Sequence, residues 1–544
     1  MANACSVRVR GVVQGVGFRP FVYRIARENS LAGWVLNAGD GVEIHVEGSE
    51  GSVDLFLREL FADAPAASSI TAIDVAPAEH TGAQDFSIRA SPSVASPTTR
   101  ISPDLPVCPR CLAELADPGD PRFGYPYINC TDCGPRYSII EKLPYDRANT
   151  TMAAWPMDER CAEEYADATS RRFHAQPIAC PTCGPHYLLE TGGEVVRGDA
   201  RAIERAAALL RDGEIVAIKG LGGYHLACDA RRGSAVQALR ERKFRKEKPF
   251  ALMVRSLEVA RELADLSPNA ELLLTSQARP IVLARARVTL PGVAPDNGEL
   301  GLMLPYTPLH HMLFSAGAPE ALVMTSANRS SEPIAYEDDD AREHLTGIAD
   351  AFLVGERPIA RRVEDSVARV GLWGPVILRR SRGYAPGAVA ALPTSRPLLA
   401  VGADLKNAIT LVVDGQAFVS QHIGDLESWD ALRAWQETIR DLLSMYQVRA
   451  DELLVVHDAH PEYRSTAHAN ELGARAHLAV QHHRAHIASV LAEHALLEER
   501  VVGVSFDGTG YGVDGTIWGG EVFVGSVAGG FERVAHLRQA DLVG

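Results

Sequence analysis

Residues 11–19 read GVVQGVGFR, and the segments on either side of this loop decide the fold of the N-terminal region. CSVRVRGVV (5–13) before it alternates like a strand, and FRPFVYRIAREN (18–29) after it has the spacing of an amphipathic helix. WVLNAGDGVEIHVEG (34–48) reads as a hairpin, and a helix and two strands follow it. That order predicts a ferredoxin-like α+β sandwich over residues 1–91. In the loop, Gly11, Gly15 and Gly17 free the backbone at a helix N-terminus, where N–H groups face an anion, and Arg19 adds a planar cation. Asn37 ends the next strand, just before the turn at Asp40 and Gly41, where its amide could orient a water against a bound phosphoryl group. Such hydrolysis needs no metal.

The chain is too long for one core: 544 residues predict three or four domains. Its 46% hydrophobic and 23% charged residues are those of a globular enzyme. No run approaches the ~18 apolar residues of a membrane helix, and the N-terminus has no export or lipidation pattern. A cytoplasmic protein without membrane partners is expected. A net charge of −15 argues against nonspecific nucleic-acid binding. Nine cysteines are too few for a secreted disulfide scaffold, so their spacing points to metal.

Cys108 and Cys111, then Cys130 and Cys133, form two C-x2-C pairs with 18 residues between them, and Cys180 and Cys183 form a third pair 18 residues after Cys161. YINCTDCGPRY (127–137) and IACPTCGPHY (178–187) repeat the same local pattern. Residues 105–190 are therefore expected to hold tandem zinc knuckles, one or two structural sites with four protein ligands each. Where the repeat calls for a cysteine stands Asp158, which can ligate zinc through oxygen, with His174 as a substitute. Spacing leaves open whether each zinc takes consecutive or interleaved pairs. Consecutive pairing is the working expectation.

Residues 198–388 alternate strands such as EIVAIKG (214–220) and ALVMTSA (321–327) with amphipathic helices, an α/β domain. Phosphate-binding residue types gather in it: Lys219 before GLGGYHLACDA, Lys243, Arg245 and Lys248 in RKFRKEKPF, and hydroxyl and amide groups in TSANRSSEP. Charge alone favours a solvated basic helix face for RERKFRKEK. There is no Walker A motif; clamping of polyphosphate by Lys and Arg needs none.

After the linker ALPTSRP (391–397), residues 396–544 begin with two or three strands and a sharp polar turn, as at the start of an actin-like ATPase-type domain. DGTGYG places Asp507, Gly508 and Gly510 after a strand, suited to magnesium and nucleotide phosphates. In VQHHRAHIASVLAEH (480–494), His482 and His486 stand one helical turn apart and can face one metal, while His483 falls off that register.

Several of these strings carry resemblances. GVVQGVGFR with Asn37 resembles the acylphosphatase signature, which implies that Arg19 binds phosphate and Asn37 positions the nucleophilic water. K-x-R ahead of KPF, then SAN after an apolar strand, then LRRSRGYAP, resembles the YrdC family of acyl-adenylate-forming domains. That implies phosphate contacts for Lys243 and Arg245, and nucleotide or carbamate contacts for Ser326 and Asn328. The histidine pair with DGTGYG resembles that of enzymes transferring threonylcarbamoyl or carbamoyl groups, with iron or zinc as its metal. The order of all four parts, across the whole chain, resembles the HypF family of hydrogenase-maturation carbamoyltransferases. This implies a multidomain α/β enzyme that hydrolyses carbamoyl phosphate, adenylates carbamate with ATP and Mg, and loads the C-terminal cysteine of a HypE-like partner. That family continues past Gly544, so a third ligand for the histidine pair is expected from the part beyond. Two other readings stay open: a small-molecule O-carbamoyltransferase, which has no use for the first 190 residues, and an RNA-binding zinc-knuckle protein.

Overall fold

The structure is a computed structural model that describes residues 2–38, 40–65, 68–89, 101–328 and 332–538. It forms two compact units, Met1–Pro386 and Gly387–Gly544.

The first unit opens with β1 (Ala2–Val12), α1 (Phe18–Glu28), β2 (Ala32–Ala38), β3 (Gly41–Ser49), α2 (Glu50–Ala62), β4 (Ser69–Pro77) and β5 (Phe86–Ile88). The strands form one sheet in the order β4-β1-β3-β2-β5. Val7, Val9, Val35, Ile44 and Val46 of the strands meet Val22, Ile25, Val53 and Phe56 of the helices in one core, as the alternation and the helical spacing require. This is the sandwich the sequence predicts.

Residues 101–186 contain little regular structure beyond α3 (Pro109–Ala116) and α4 (Glu159–Ala166), each starting at a candidate metal ligand: Cys108 caps α3 and Asp158 caps α4. The two repeats pack reciprocally. Arg122 of the first donates to Ala179 O and to both carboxylate oxygens of Glu164 in the second. Arg172, its equivalent in the second repeat, donates to Asn129 O and to Glu114 of the first. Both arginines are buried, and each makes its shortest ion pair with a glutamate of the other repeat.

The α/β part of the first unit contains β6 (Tyr187–Thr191), β7 (Glu194–Arg197), α5 (Asp199–Asp212), β8 (Val216–Lys219), β9 (Tyr224–Asp229), α6 (Gly233–Arg242) and β10 (Ala251–Val254), and further elements up to the strand Gly374–Arg379. Its mixed sheet starts earlier than the boundary read at residue 198. β6 pairs antiparallel with the strand Ala351–Gly355, and β7 pairs with β6, so the chain enters this sheet directly from Cys183. β8 and β9 lie at its centre, and Ser326 at the end of the strand Ala321–Ser326 stands opposite His225.

The second unit has a six-stranded sheet built from 388–391, 416–419, 410–413, 398–400, 454–458 and 476–480 in that order, and an antiparallel meander of 501–511, 517–526 and 530–536. It too begins before its predicted start at 396, because Ala388–Ala391 pairs with Gln416–Val419 ahead of the proline-containing linker.

Candidate functional site

Four groups of side chains among the described residues bear on the chemistry of this chain. The first lies where the sandwich meets the knuckle region. Gly17, at φ 74°, forms the left-handed N-cap of α1, which turns Arg19 inward. A side chain at Gly17 would also press on Thr131, with a Cβ only 3.1 Å from that residue's own. Arg19 is 8% exposed and donates to Asp146 Oδ1 at 3.2 Å. Asn37 is 1% exposed, and among the described residues neither its amide nitrogen nor its oxygen has a partner. Both line one cavity with about 330 Å³ of empty space, together with Gly15 and with Arg136, Tyr145 and His174 from the knuckle region. A buried cation, an unpartnered amide and a glycine loop at a helix N-terminus fit a small phosphorylated ligand and its attacking water. His174 is placed here and not among the cysteines; burial, with Arg19 close by, pushes its imidazole down to about 4, so it is neutral at pH 7.

The knuckles bring together the eight residues expected of them, in consecutive pairs: Cys108, Cys111, Cys130 and Cys133 in one cluster, Asp158, Cys161, Cys180 and Cys183 in the other. Sulfur–sulfur distances of 3.8 Å for Cys108–Cys130 and Cys130–Cys133, and 3.7 Å for Cys180–Cys183, match the edge of a tetrahedron with Zn–S bonds of about 2.3 Å. Asp158 Oδ2 lies 3.0 Å from Cys180 Sγ and completes the second set. Both sets suit zinc, and four protein ligands leave no open position. Arg122 Nη2 reaches Cys161 Sγ at 3.3 Å, and Arg171 Nη2 reaches Cys111 Sγ at 3.6 Å, so each cluster also receives a guanidinium from the opposite repeat.

In the α/β part, Lys243 caps the C-terminus of α6 and is wholly buried. Its ammonium donates to Ser326 O at 2.8 Å and to Asn328 O and Oδ1, so three of the residues chosen from sequence do converge. Burial, with Arg245 adding to it, depresses the amine to about 7. Arg245 itself turns to Lys248 O and Pro249 O and lies over the Phe250 ring. The basic stretch is thus a loop after α6, not a solvated helix face. Lys219 stands elsewhere: it is 3% exposed, donates to Gly355 O at 2.8 Å and pairs with Asp338, which ties β8 to its neighbours instead of presenting a free cation.

In the second unit, His482 and His486 project from the helix His482–Glu493 beside Asp507, their ligand atoms within 4.8 Å of one another. The DGTGYG pattern suggests Asp507, Gly508 and Gly510 for nucleotide phosphates just after a strand. The strand instead runs on to Tyr511, with its register broken between Phe506 and Gly510. Asp507 Oδ2 comes 3.0 Å from His482 Nε2 and 3.7 Å from His486 Nε2. A Cβ on Gly510 would come within 2.3 Å of His483 Cε1, so glycine lets the strand press against the helix. Asp458, overlooked in the sequence although it ends the strand Leu454–Asp458, accepts from His482 Nδ1 at 2.6 Å and raises that imidazole's affinity for a proton. His483 is buried and turned away from this group, toward Gln481.

The order of these groups matches known proteins. The families described as Acylphosphatase (5–88), HypF finger (107–140 and 159–190), Telomere recombination (208–381), HypF Kae1-like domain (393–493) and Carbamoyltransferase, Kae1-like domain, second subdomain (503–544) follow one another along the chain. Carbamoyltransferase HypF2 of Cupriavidus necator is 48% identical over 99% of this chain, which spans 69% of that protein. Carbamoyltransferase HypF of Rhodobacter capsulatus is 47% identical over the whole chain, which spans 73% of it. The chain belongs to the HypF carbamoyltransferase family. A crystal structure described as full-length HypF in the phosphate- and nucleotide-bound form matches with a TM-score of 0.94 and 44% identity over 99% of this chain and 70% of that one. HypF of T. kodakarensis matches with a TM-score of 0.89 at 42% identity, over 98% of this chain and 69% of its own. HypF membership accounts for all four parts expected from sequence: the acylphosphatase-like domain, the finger, the YrdC-like domain and the Kae1-like domain. No helix among the described residues is long and apolar enough to cross a membrane.

Proposed function

We propose that this chain carries out the hydrogenase-maturation reactions of HypF: hydrolysis of carbamoyl phosphate, ATP-dependent adenylation of the carbamate, and transfer of the carbamoyl group to the C-terminal cysteine of a HypE-like acceptor. The observation that carries the reading is the first cavity, where a buried arginine and an unpartnered buried asparagine face the same space.

Arg19 and the N–H groups of the glycine loop hold the phosphoryl group, and Asn37 aligns a water for attack on phosphorus, releasing carbamate and phosphate. Carbamate is short-lived in water, so the next site must lie within reach. Support comes from the cavities themselves: Arg136 lines the first, and Gly134 and Pro135 line another on the way to the α/β part. There the carbamate oxygen displaces diphosphate from ATP, which comes with magnesium, while Lys243, Arg245, Ser326 and Asn328 grip nucleotide and acyl group. Lys219 supports the sheet beneath them.

Lys243→Ala is expected to lower ATP–diphosphate exchange about 10²-fold, the cost of one preorganised charge. An amine at about 7 is mostly neutral at pH 8, and polyphosphate favours its charged form, so nucleotide binding at pH 8 should take up a proton. Calorimetry in buffers of differing ionisation enthalpy reads that uptake directly, and Lys243→Ala should abolish it.

In the second unit His482, His486 and Asp507 suit iron or zinc, which would act as a Lewis acid on the acyl carbonyl. Asp458 fixes the His482 tautomer by accepting from Nδ1, leaving Nε2 directed at Asp507. Asp458→Asn is expected to weaken cobalt binding at this group about 10–100-fold in a spectroscopic titration; unchanged affinity would remove Asp458 from this role. The decisive experiment for the whole reading incubates the protein with ATP, carbamoyl phosphate and candidate acceptors, then weighs each acceptor. A HypE-like protein gaining one carbamoyl group supports it, whereas gain on a small hydroxylated metabolite alone defeats it.

A further inference from the structure

A second cavity, with about 400 Å³ of empty space partly open to solvent, lies between the finger region and the α/β part, and none of the residues chosen from sequence lines it. Arg357 does. Its side chain belongs to a residue only 8% exposed, stacks over the Tyr127 ring at 4.9 Å, and among the described residues makes no hydrogen bond or ion pair. The neighbouring carboxylates are engaged elsewhere: Asp338 by Lys219, and Glu356 by the His186 backbone N–H. A guanidinium carries five donors and always a charge, so burial without an acceptor is costly unless a ligand supplies one.

The opposite wall has the same sign. Thr307 and Pro308 line the cavity as the N-cap and first residue of the helix Pro308–Ser315, with Thr307 Oγ1 accepting from His310 N. The positive end of that helix therefore opens on the space that Arg357 faces. Tyr127 and Tyr187, stacked at 4.9 Å with their planes 16° apart, both line the cavity and give it an aromatic wall.

We propose that this cavity binds a small planar oxyanion of the carboxylate class, gripped by the Arg357 fork against the N-terminus of the helix Pro308–Ser315. Carbamate is such an anion. That it is the natural occupant rests on the function proposed above; that the pocket takes planar carboxylates does not. Gly134 and Pro135 line this cavity while the adjoining Arg136 lines the first, and Gly220 and Leu221 on its far wall belong to the loop from β8 to β9. Arg357 would thus hold the anion after hydrolysis and before adenylation.

Bicarbonate, isosteric with carbamate and stable in water, is the probe, titrated as its carbon-13 form into the whole protein and followed by line broadening. Wild type should bind it saturably, with acetate competing and inorganic phosphate not. Arg357→Met should weaken binding at least tenfold, while Arg287→Met, at a half-exposed arginine paired with Asp265, leaves it unchanged. Should the Arg357→Met variant fail to fold, as judged by circular dichroism and zinc content, Arg357→Lys, which keeps the charge but loses the fork, should still weaken binding several-fold. Absence of saturable binding in wild type, or equal affinity in the Arg357 variants, overturns the proposal. Phosphate release from carbamoyl phosphate separates the two claims: a wild type that binds bicarbonate but releases none defeats the functional reading alone.

Discussion

Replacing Arg19 with alanine should slow carbamoyl phosphate hydrolysis about 10²–10³-fold, the cost of losing one preorganised donor to developing charge. The expectation rests on position. Arg19 stands at the second residue of α1, behind the left-handed Gly17, where helix N–H groups and the guanidinium converge on a cavity also lined by Asn37. Its partner Asp146 keeps about a third of its side chain exposed and can return to water, so the fold should survive. Arg19→Lys keeps charge without the planar fork and should fall between the two. Phosphate release under saturating substrate is the measurement, and turnover within about twofold of wild type would take the first domain out of the mechanism.

A single change in the fingers should have the largest effect on stability. Cys130→Ser removes one of four ligands from the first cluster, and structural zinc contributes an apparent ~10–16 kcal/mol to the folding of small metal domains. Here the loss should not stay local. Glu114 holds Arg172 and Glu164 holds Arg122, so unfolding of either repeat strips the other's buried arginine of its shortest ion pair. Zinc per chain, measured by elemental mass spectrometry after gel filtration, should therefore drop from two toward none. Retention of one firmly bound zinc with an unchanged melting profile would show that the repeats fold independently.

The N-terminal sandwich was legible because its signals are local: strand alternation, helix spacing and glycines at a turn. The metal clusters were legible because a repeat writes the same ligands twice, and the one departure, Asp158, still falls into place as both helix cap and cluster member. What escaped the sequence is long-range. Nothing near Arg19 announces that Asp146 will pair with it across 127 positions, or that His174 will leave the cysteines and face the first cavity. Lys219 has the composition of a phosphate ligand, yet Asp338 and the Gly355 carbonyl claim it through strand pairings that composition does not encode. Asp507 is a further case: the irregular register between Phe506 and Gly510, invisible in a string of small residues, brings it to the histidine pair.

The first cavity takes Thr131, Arg136, Tyr145 and His174 as part of its lining, all from the region organised by the fingers, while no cysteine touches it. Metal retention thus becomes a clock for hydrolysis. Exposure to a strong chelator should let phosphate release decay in step with zinc departure, a remote inhibition that substrate cannot compete away and that timely remetallation should reverse.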